Sequence, residues 1–279
     1  MNLNFLVSTI ENAGERALES FKVRNDNLVL GIKTAYLEEK SPRELVIRED
    51  IMCQKIITEA ILSEQPEAKI YSEESNNLHE LEKDISPLKY IIDPLDGTHN
   101  FYFGIPYWGL SIGVLDQDNQ SVAGVIYLPC MGILLKNEGA NLPTMIKLKE
   151  GWQRVSTVPR SLSKALVCYD NQFYKFGEEA SSIYERLTDK AFTTRITGSA
   201  VADAALIATG RVSARIWNNT MSYDVAAGMA VVRGAGGKFT GFNGERIDVM
   251  QPKVLMLSLI HISEPTRLLS ISYAVFCLK

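Results

Sequence analysis

Histidine is nearly absent, with three in 279 residues (His79, His99 and His261), so a histidine-rich zinc site is not expected. Cysteine is scarce as well. The four, Cys53, Cys130, Cys168 and Cys277, form no CxxC spacing and no close pair, which suits a reducing cytoplasm better than a disulfide framework. No block of basic residues occurs, and 29 Lys and Arg against 33 Asp and Glu leave a net charge of −4. That balance gives no electrostatic footprint for nucleic acid. Apolar runs are too short and too interrupted to span a bilayer. The opening MNLNFLVSTIENAGERALESFK is interrupted by acids and has no basic leader, so it does not read as a signal peptide. A small-molecule protein of the cytoplasm, with no membrane and no nucleic-acid partner, is what these absences leave.

What is present is ordinary globular patterning, enough for one large domain or two of usual size. Leu3, Leu6, Ile10, Ala13, Ala17 and Phe21 recur at helical spacing, so the first residues predict an amphipathic helix. A second is expected over Arg48 to Leu62, followed by a short strand in AKIYSEES (68–75). LKYIIDPLDGTHNF predicts a strand, a turn at Pro94 and Gly97, and a helix from about Thr98, and residues 108–116 and 121–129 a β-hairpin. Further along, residues 165–170 read as a strand, and Ala180 to Lys190, Gly198 to Thr209 and Asp224 to Arg233 as helices, with KFTGFNGERIDV as a closing hairpin. Hairpins first and strand–helix alternation later suggest an α+β part followed by an α/β part. The parts are residues 1–150, residues 151–256, and a tail of residues 257–279.

The tail stands apart. Leu257 to Lys279, LSLIHISEPTRLLSISYAVFCLK, reads as the in-frame translation of a sequencing adapter. Its constant blocks are LSLIHISEPTR and ISYAVFCL, with a short variable index between them. On that reading the genuine chain stops near Met256, and His261 and Cys277 carry no functional information.

Acids gather at the ends of elements: Asp50 after ELVIRE, Glu73-Glu74 after KIYS, Asp93 and Asp96 after YII, and Asp224 opening DVAAG. Singly, each has a plain explanation. Asp224 alone is a helix cap, and SEES alone is a solvated loop. Asp93 and Asp96 are harder to explain so, because close carboxylates repel and are costly to bury. With Pro94 fixing the backbone and Gly97 permitting a tight turn, carboxylates and a carbonyl can share a hard cation while amides at the helix start face an anion. Oxygen donors without His or Cys favour magnesium or manganese over zinc or copper. A divalent cation beside an anion site is suited to phosphate chemistry.

DPLDGTHNF resembles the first signature of the inositol monophosphatase family, and YDVAAGMAVVRGAGG its second. SEES is similar to the family's Gly-Glu-Glu-Ser, and GSAVADAALIATGR to its Gly-Ser/Thr-Ala helix, with order and spacing agreeing to Met256. The resemblance implies a layered α/β/α/β/α sandwich in which the two parts form one family domain. It implies a homodimer, lithium sensitivity and two Mg2+ ions with a weaker third position. Carried over residue by residue, it implies that Glu74, Asp93 and the Leu95 carbonyl hold one metal, and Asp93, Asp96 and Asp224 a second. Glu74 would also help the weaker third metal and is counted as catalytic with Asp50 and Thr98; Thr98, linked to Asp50, would orient and deprotonate the attacking water. Gly97 and Thr98 would bind phosphate, and Gly198, Ser199, Ala200 and Trp217 would lie on the substrate side. The implied reaction is hydrolysis of a small phosphomonoester, inositol-1-phosphate first. Fructose-1,6-bisphosphatase, histidinol-phosphatase and 3′-phosphoadenosine-5′-phosphate phosphatase are alternatives, and a non-catalytic metal- or phosphate-binding regulator keeping the fold is a reading of another class. Three departures stand out: Tyr223 for the usual Trp, Ser72 for Gly, and Trp217 where several members carry an acid that contacts a substrate hydroxyl. Lys40 and Arg43 lie on a loop that in the family approaches the metals.

Overall fold

The computed structural model describes residues 3–32, 38–41, 44–75, 77–170 and 172–258. The helices are α1 (Asn4–Val29), α2 (Arg48–Glu64), α3 (Thr98–Tyr102), α4 (Phe173–Lys190), α5 (Ala200–Ala208) and α6 (Ser222–Gly234). The strands are β1 (Glu38–Ser41), β2 (Glu44–Val46), β3 (Lys69–Ser72), β4 (Lys89–Asp96), β5 (Gly109–Leu115), β6 (Ser121–Leu128) and β7 (Ile133–Asn137). They continue as β8 (Met145–Leu148), β9 (Gly151–Arg154), β10 (Leu166–Tyr169), β11 (Thr193–Arg195), β12 (Ala214–Trp217), β13 (Lys238–Thr240) and β14 (Val254–Leu257). One sheet has the order β3-β4-β5-β6-β7-β8-β9, a second β11-β10-β12-β14-β13, and β1-β2 stands apart. Among the described residues no helix is long and apolar enough to cross a membrane.

Periodicity explains the layering. The α1 stripe of Leu6, Ile10, Ala13, Ala17 and Phe21 is at most 5% exposed. With Cys53, Ile57 and Ile61 of α2 it covers the face of the first sheet that carries Tyr90, Ile92 and Ile112. Successive strand residues face opposite sides, so Ile91 belongs to the other face, under α5 and α6. Those two helices in turn meet Trp217, Phe239 and Met256 of the second sheet. Ala180, Ile183 and Leu187 of α4 close its far side against Val167, Ile216 and Leu255. The result is α/β/α/β/α. Ile91 and Ile92 are both fully buried, each contributing about 2 kcal/mol of transfer free energy, which anchors the strand leading to the acids.

A glycine pair brings the second motif to the first. Gly113 and Gly124 face each other across β5 and β6. A Cβ on Gly113 would lie 2.6 Å from the Ala226 Cβ, and one on Gly124 2.9 Å from the Ala227 carbonyl oxygen. Side chains at either position would lift α6 off the sheet, and with it Asp224 in its first turn.

Three local expectations change. Strand β4 runs through Pro94 to Asp96 rather than turning at the proline. Helix α4 begins at Phe173, with a break at Gly177 (φ 46) ahead of the expected segment. KFTGFNGERIDV is not a hairpin, because β13 pairs with β14 from beyond the turn; Ile247 and Val249 are instead buried in the central core.

Candidate active site

The site begins with a bulge. Asp93 pairs with Ser111 and Asp96 with Gly109, so three steps along β4 oppose two along β5. In a regular strand, residues three apart point to opposite faces; the extra residue turns both acids to one side. Gly97 follows in the left-handed region (φ 89) and starts α3. On the other side, β3 runs parallel to β4 with Ser72 opposite Ile92. The Glu73 amide donates to the Ile92 carbonyl at 3.2 Å, which extends the register and sets Glu73 beside Asp93.

Helix starts hold the remaining carboxylates. Asp96 Oδ2 accepts the Ser199 hydroxyl and, at 2.7 Å, the Val201 amide of α5. Asp224 Oδ2 accepts the Met221 amide at 2.9 Å and the Thr220 hydroxyl at 3.1 Å. Asp50 Oδ2 accepts the Ile47 amide at 2.6 Å. The single Thr98 hydroxyl proton reaches either Asp50 Oδ1, at 3.3 Å, or the Leu95 carbonyl, at 3.2 Å.

Asp93, Asp96 and Asp224 each place a carboxylate oxygen within 4.8 Å of the other two. Two unit negative charges about 5 Å apart repel by about 3 kcal/mol at an effective dielectric of about 20. Burial, then the charges of Glu73, Asp96 and Asp224, push Asp93 well above the usual carboxylate range. Burial also raises Asp96, against the opposing hydrogen bonds from Ser199 and Val201 and the Arg215 charge. Asp224 is pushed up to about 7, chiefly by burial and then by Asp96. Asp93 Oδ1 is buried without a hydrogen-bond partner. Converging hard-oxygen donors, one of them orphaned, form a donor set that fits a hard divalent cation.

A cavity of about 780 Å³ opens over these groups. Asp93, Leu95, Asp96, Gly97, Thr98, Gly198 and Asp224 line it, and Asp50 reaches it through Thr98. Glu73 lines the cavity, and Glu74, the residue expected there, does not. The parallel register with β4 is the reason: it ends on Glu73, and the chain turns away before Glu74. Ser199 and Ala200 lie behind the wall, 1% and 4% exposed, with the Ser199 hydroxyl spent on Asp96. Trp217 is corrected from the substrate side to the core. It is 2% exposed and stacks with Arg215 at 4.8 Å, since both residues face the inner side of β12. Asn219, two residues on, lines the cavity instead.

Gln172, Tyr174 and Lys175 at the start of α4 also line it and were not anticipated. A signal was available, because the segment follows the carboxyl end of β10, which is parallel to both its neighbours, where open sheets bind ligands. His99 sits exposed at the rim and Tyr223 on the wall. Arg43 and the side chain of Lys40 lie outside the described residues, as do the tail residues from 259 onward.

The model of the inositol monophosphatase family matches residues 2–271, extending past Met256 into the stretch read as adapter-derived. A protein of Escherichia coli (strain K12) named Nus factor SuhB is 30% identical over 213 residues, 74% of this chain and 75% of that one. An inositol-1-monophosphatase of Caulobacter vibrioides is 28% identical over 227 residues, covering 80% and 85%. Among solved structures, extragenic suppressor protein suhB from Bartonella henselae has a TM-score of 0.81 at 24% identity over 98% of both chains. That likeness speaks for the fold.

Proposed function

The chain belongs to the inositol monophosphatase family, and from that premise we propose that it is a magnesium-dependent phosphomonoesterase. Its substrate is a small polyol or sugar phosphate, inositol-1-phosphate being the first to try. The observation that carries this reading is the convergence of Asp93, Asp96 and Asp224 on one point, with Thr98 and Asp50 hydrogen-bonded beside it. Asp93, Asp96 and Asp224, joined by Glu73 and the Leu95 carbonyl, would hold Mg2+. When bound, the metal would polarise the phosphoryl group, acidify the attacking water and neutralise the leaving oxygen.

The chain's own residues do the rest. The Thr98 hydroxyl takes a proton from the attacking water and passes its own to Asp50, whose carboxylate is positioned as the terminal base. The amides of Gly97 and Thr98 hold phosphate oxygens. Water attacks phosphorus in line with the ester oxygen and the P–O ester bond breaks, giving inorganic phosphate and an alkoxide that takes a proton from solvent to leave as the alcohol, without a covalent phosphoenzyme. Gln172, Tyr174 and Asn219, which also line the cavity, receive the alcohol portion. A homodimer in a cytoplasmic setting is the working form that goes with this reading.

A relative named as a Nus factor favours a second reading, a regulatory protein that keeps the metal site. Phosphate release separates the two. The substrates are inositol-1-phosphate, fructose-1,6-bisphosphate, histidinol phosphate and 3′-phosphoadenosine-5′-phosphate, each with and without Mg2+, on wild type and Asp93→Asn. Magnesium-dependent release reduced by at least about a thousandfold in the variant is the expected result. A folded, Mg2+-binding wild type that releases nothing from any of the four favours the regulatory reading.

A further inference from the structure

Behind Asp96, outside the cavity lining, a set of polar side chains forms a closed network in the interior. Asp203 of α5 is fully buried. It accepts the Tyr107 hydroxyl at 2.5 Å, the Thr197 hydroxyl at 2.8 Å and the Arg215 guanidinium of β12. Arg215, 5% exposed, also donates to the Ser199 carbonyl at 3.3 Å and to Thr197 Oγ1 at 3.1 Å. Asn100 of α3 ties the network to the first motif, its amide donating to the carbonyls of Tyr107 at 2.7 Å and Thr197 at 2.9 Å. The turn held in this way, Thr197 to Ser199, ends in the hydroxyl that binds Asp96.

Stability accounts poorly for such an arrangement. Each buried ion costs several kcal/mol of desolvation, and well-packed apolar replacements of a buried pair are often as stable. A positional role accounts for it better, because the network spans the two motifs and ends on a carboxylate of the cluster. We infer that Tyr107, Asp203 and Arg215 are positioning residues that clamp the Thr197–Ser199 turn and thereby set the Asp96 carboxylate for metal binding. They contact Asp96 only through Ser199 and the start of α5, while the Arg215 charge also acts on it through space. Partners that orient a metal ligand in this way typically change metal affinity by about 10- to 100-fold when removed. The inference rests on the metal-dependent reading above.

The test is calorimetric titration of MgCl2 into the full chain, with phosphate release and thermal melts alongside. The variants are Arg215→Lys, Tyr107→Phe and the charge-balanced pair Asp203→Asn with Arg215→Met. The paired variant is expected to weaken Mg2+ binding by about tenfold, while saturating Mg2+ restores most of the turnover. Arg215→Lys, which keeps the charge and loses the guanidinium fork, falls between it and wild type. Tyr107→Phe, which removes one hydrogen bond and no charge, weakens binding by less than the paired variant but still measurably; it decides the matter by the same criterion if the paired variant does not fold. Folded variants that all bind Mg2+ within about twofold of wild type, whatever their melting temperatures, overturn the positioning role and leave the metal site standing. A folded wild type that takes up no Mg2+ overturns the metal-dependent reading and this inference with it.

Discussion

Helices α2 and α6 open alike and serve the cavity differently. Each has Asp as its third residue, and each acid accepts the amide of the residue before the helix: Asp50 that of Ile47 at 2.6 Å, Asp224 that of Met221 at 2.9 Å. Each also offsets its helix dipole, an effect of about 0.3–1 kcal/mol. The difference lies in what stands opposite. Asp50 meets the Thr98 hydroxyl, whereas Asp224 meets two further carboxylates. On the proposed reading, one local device would therefore serve as a proton acceptor at one helix and as a metal ligand at the other.

Breaking α6's half of the comparison has the largest expected effect. Asp224→Asn should lower magnesium-dependent phosphate release by about a thousandfold, or about 4 kcal/mol of barrier. The same change should raise the melting temperature of the metal-free protein at pH 8, since a half-buried charge that repels its neighbours is gone. Loss of stability instead would mean that Asp224 acts mainly as a cap.

Asp50→Asn is the next largest. The loss of a terminal proton acceptor predicts a fall of about a hundredfold in turnover, with Mg2+ affinity within about twofold of wild type by titration. A drop in Mg2+ affinity comparable to that of Asp224→Asn would erase the distinction between the two helices.

The pH dependence of metal-free stability is the smallest effect and sharpens the contrast. Asp224 rises from 3.8 to about 7 in the fold, so its protonated form favours the native state. Its contribution is fully present below about pH 4 and is lost as pH rises through about 7. Melts without metal should therefore fall from pH 5 to pH 8, and Mg2+, which on the proposed reading would bind the ionised cluster, should stabilise more at pH 8 than at pH 5. The slope should flatten in Asp224→Asn and persist in Asp50→Asn. A wild-type melting temperature independent of pH would contradict the burial of this acid.

Much of this site is legible along the chain. The α1 stripe from Leu6 to Phe21, the Gly97 turn and the helix starts at Asp50 and Asp224 each depend on residues within a turn or two of one another. Other features are not. Glu73 rather than Glu74 lines the cavity because β3 pairs with β4 up to Ser72 and the Glu73 amide extends that register. Trp217 is buried whatever its chemistry, because β12 has helices on both faces and this residue points inward. Gln172 and Lys175 acquire a place at the cavity only because β10 carries them there.

Composition, periodicity and the two aspartate motifs suffice for the α+β class, for most of the helices and for a hard-cation chemistry, because steric and electrostatic preferences between near neighbours act wherever the chain goes. Which carboxylates meet, and which polar groups stand behind them, is a matter of long-range packing. The bulge in β4, the glycine pair under α6 and the buried Asp203–Arg215 pair join residues separated by up to about a hundred positions, and no local preference encodes those distances.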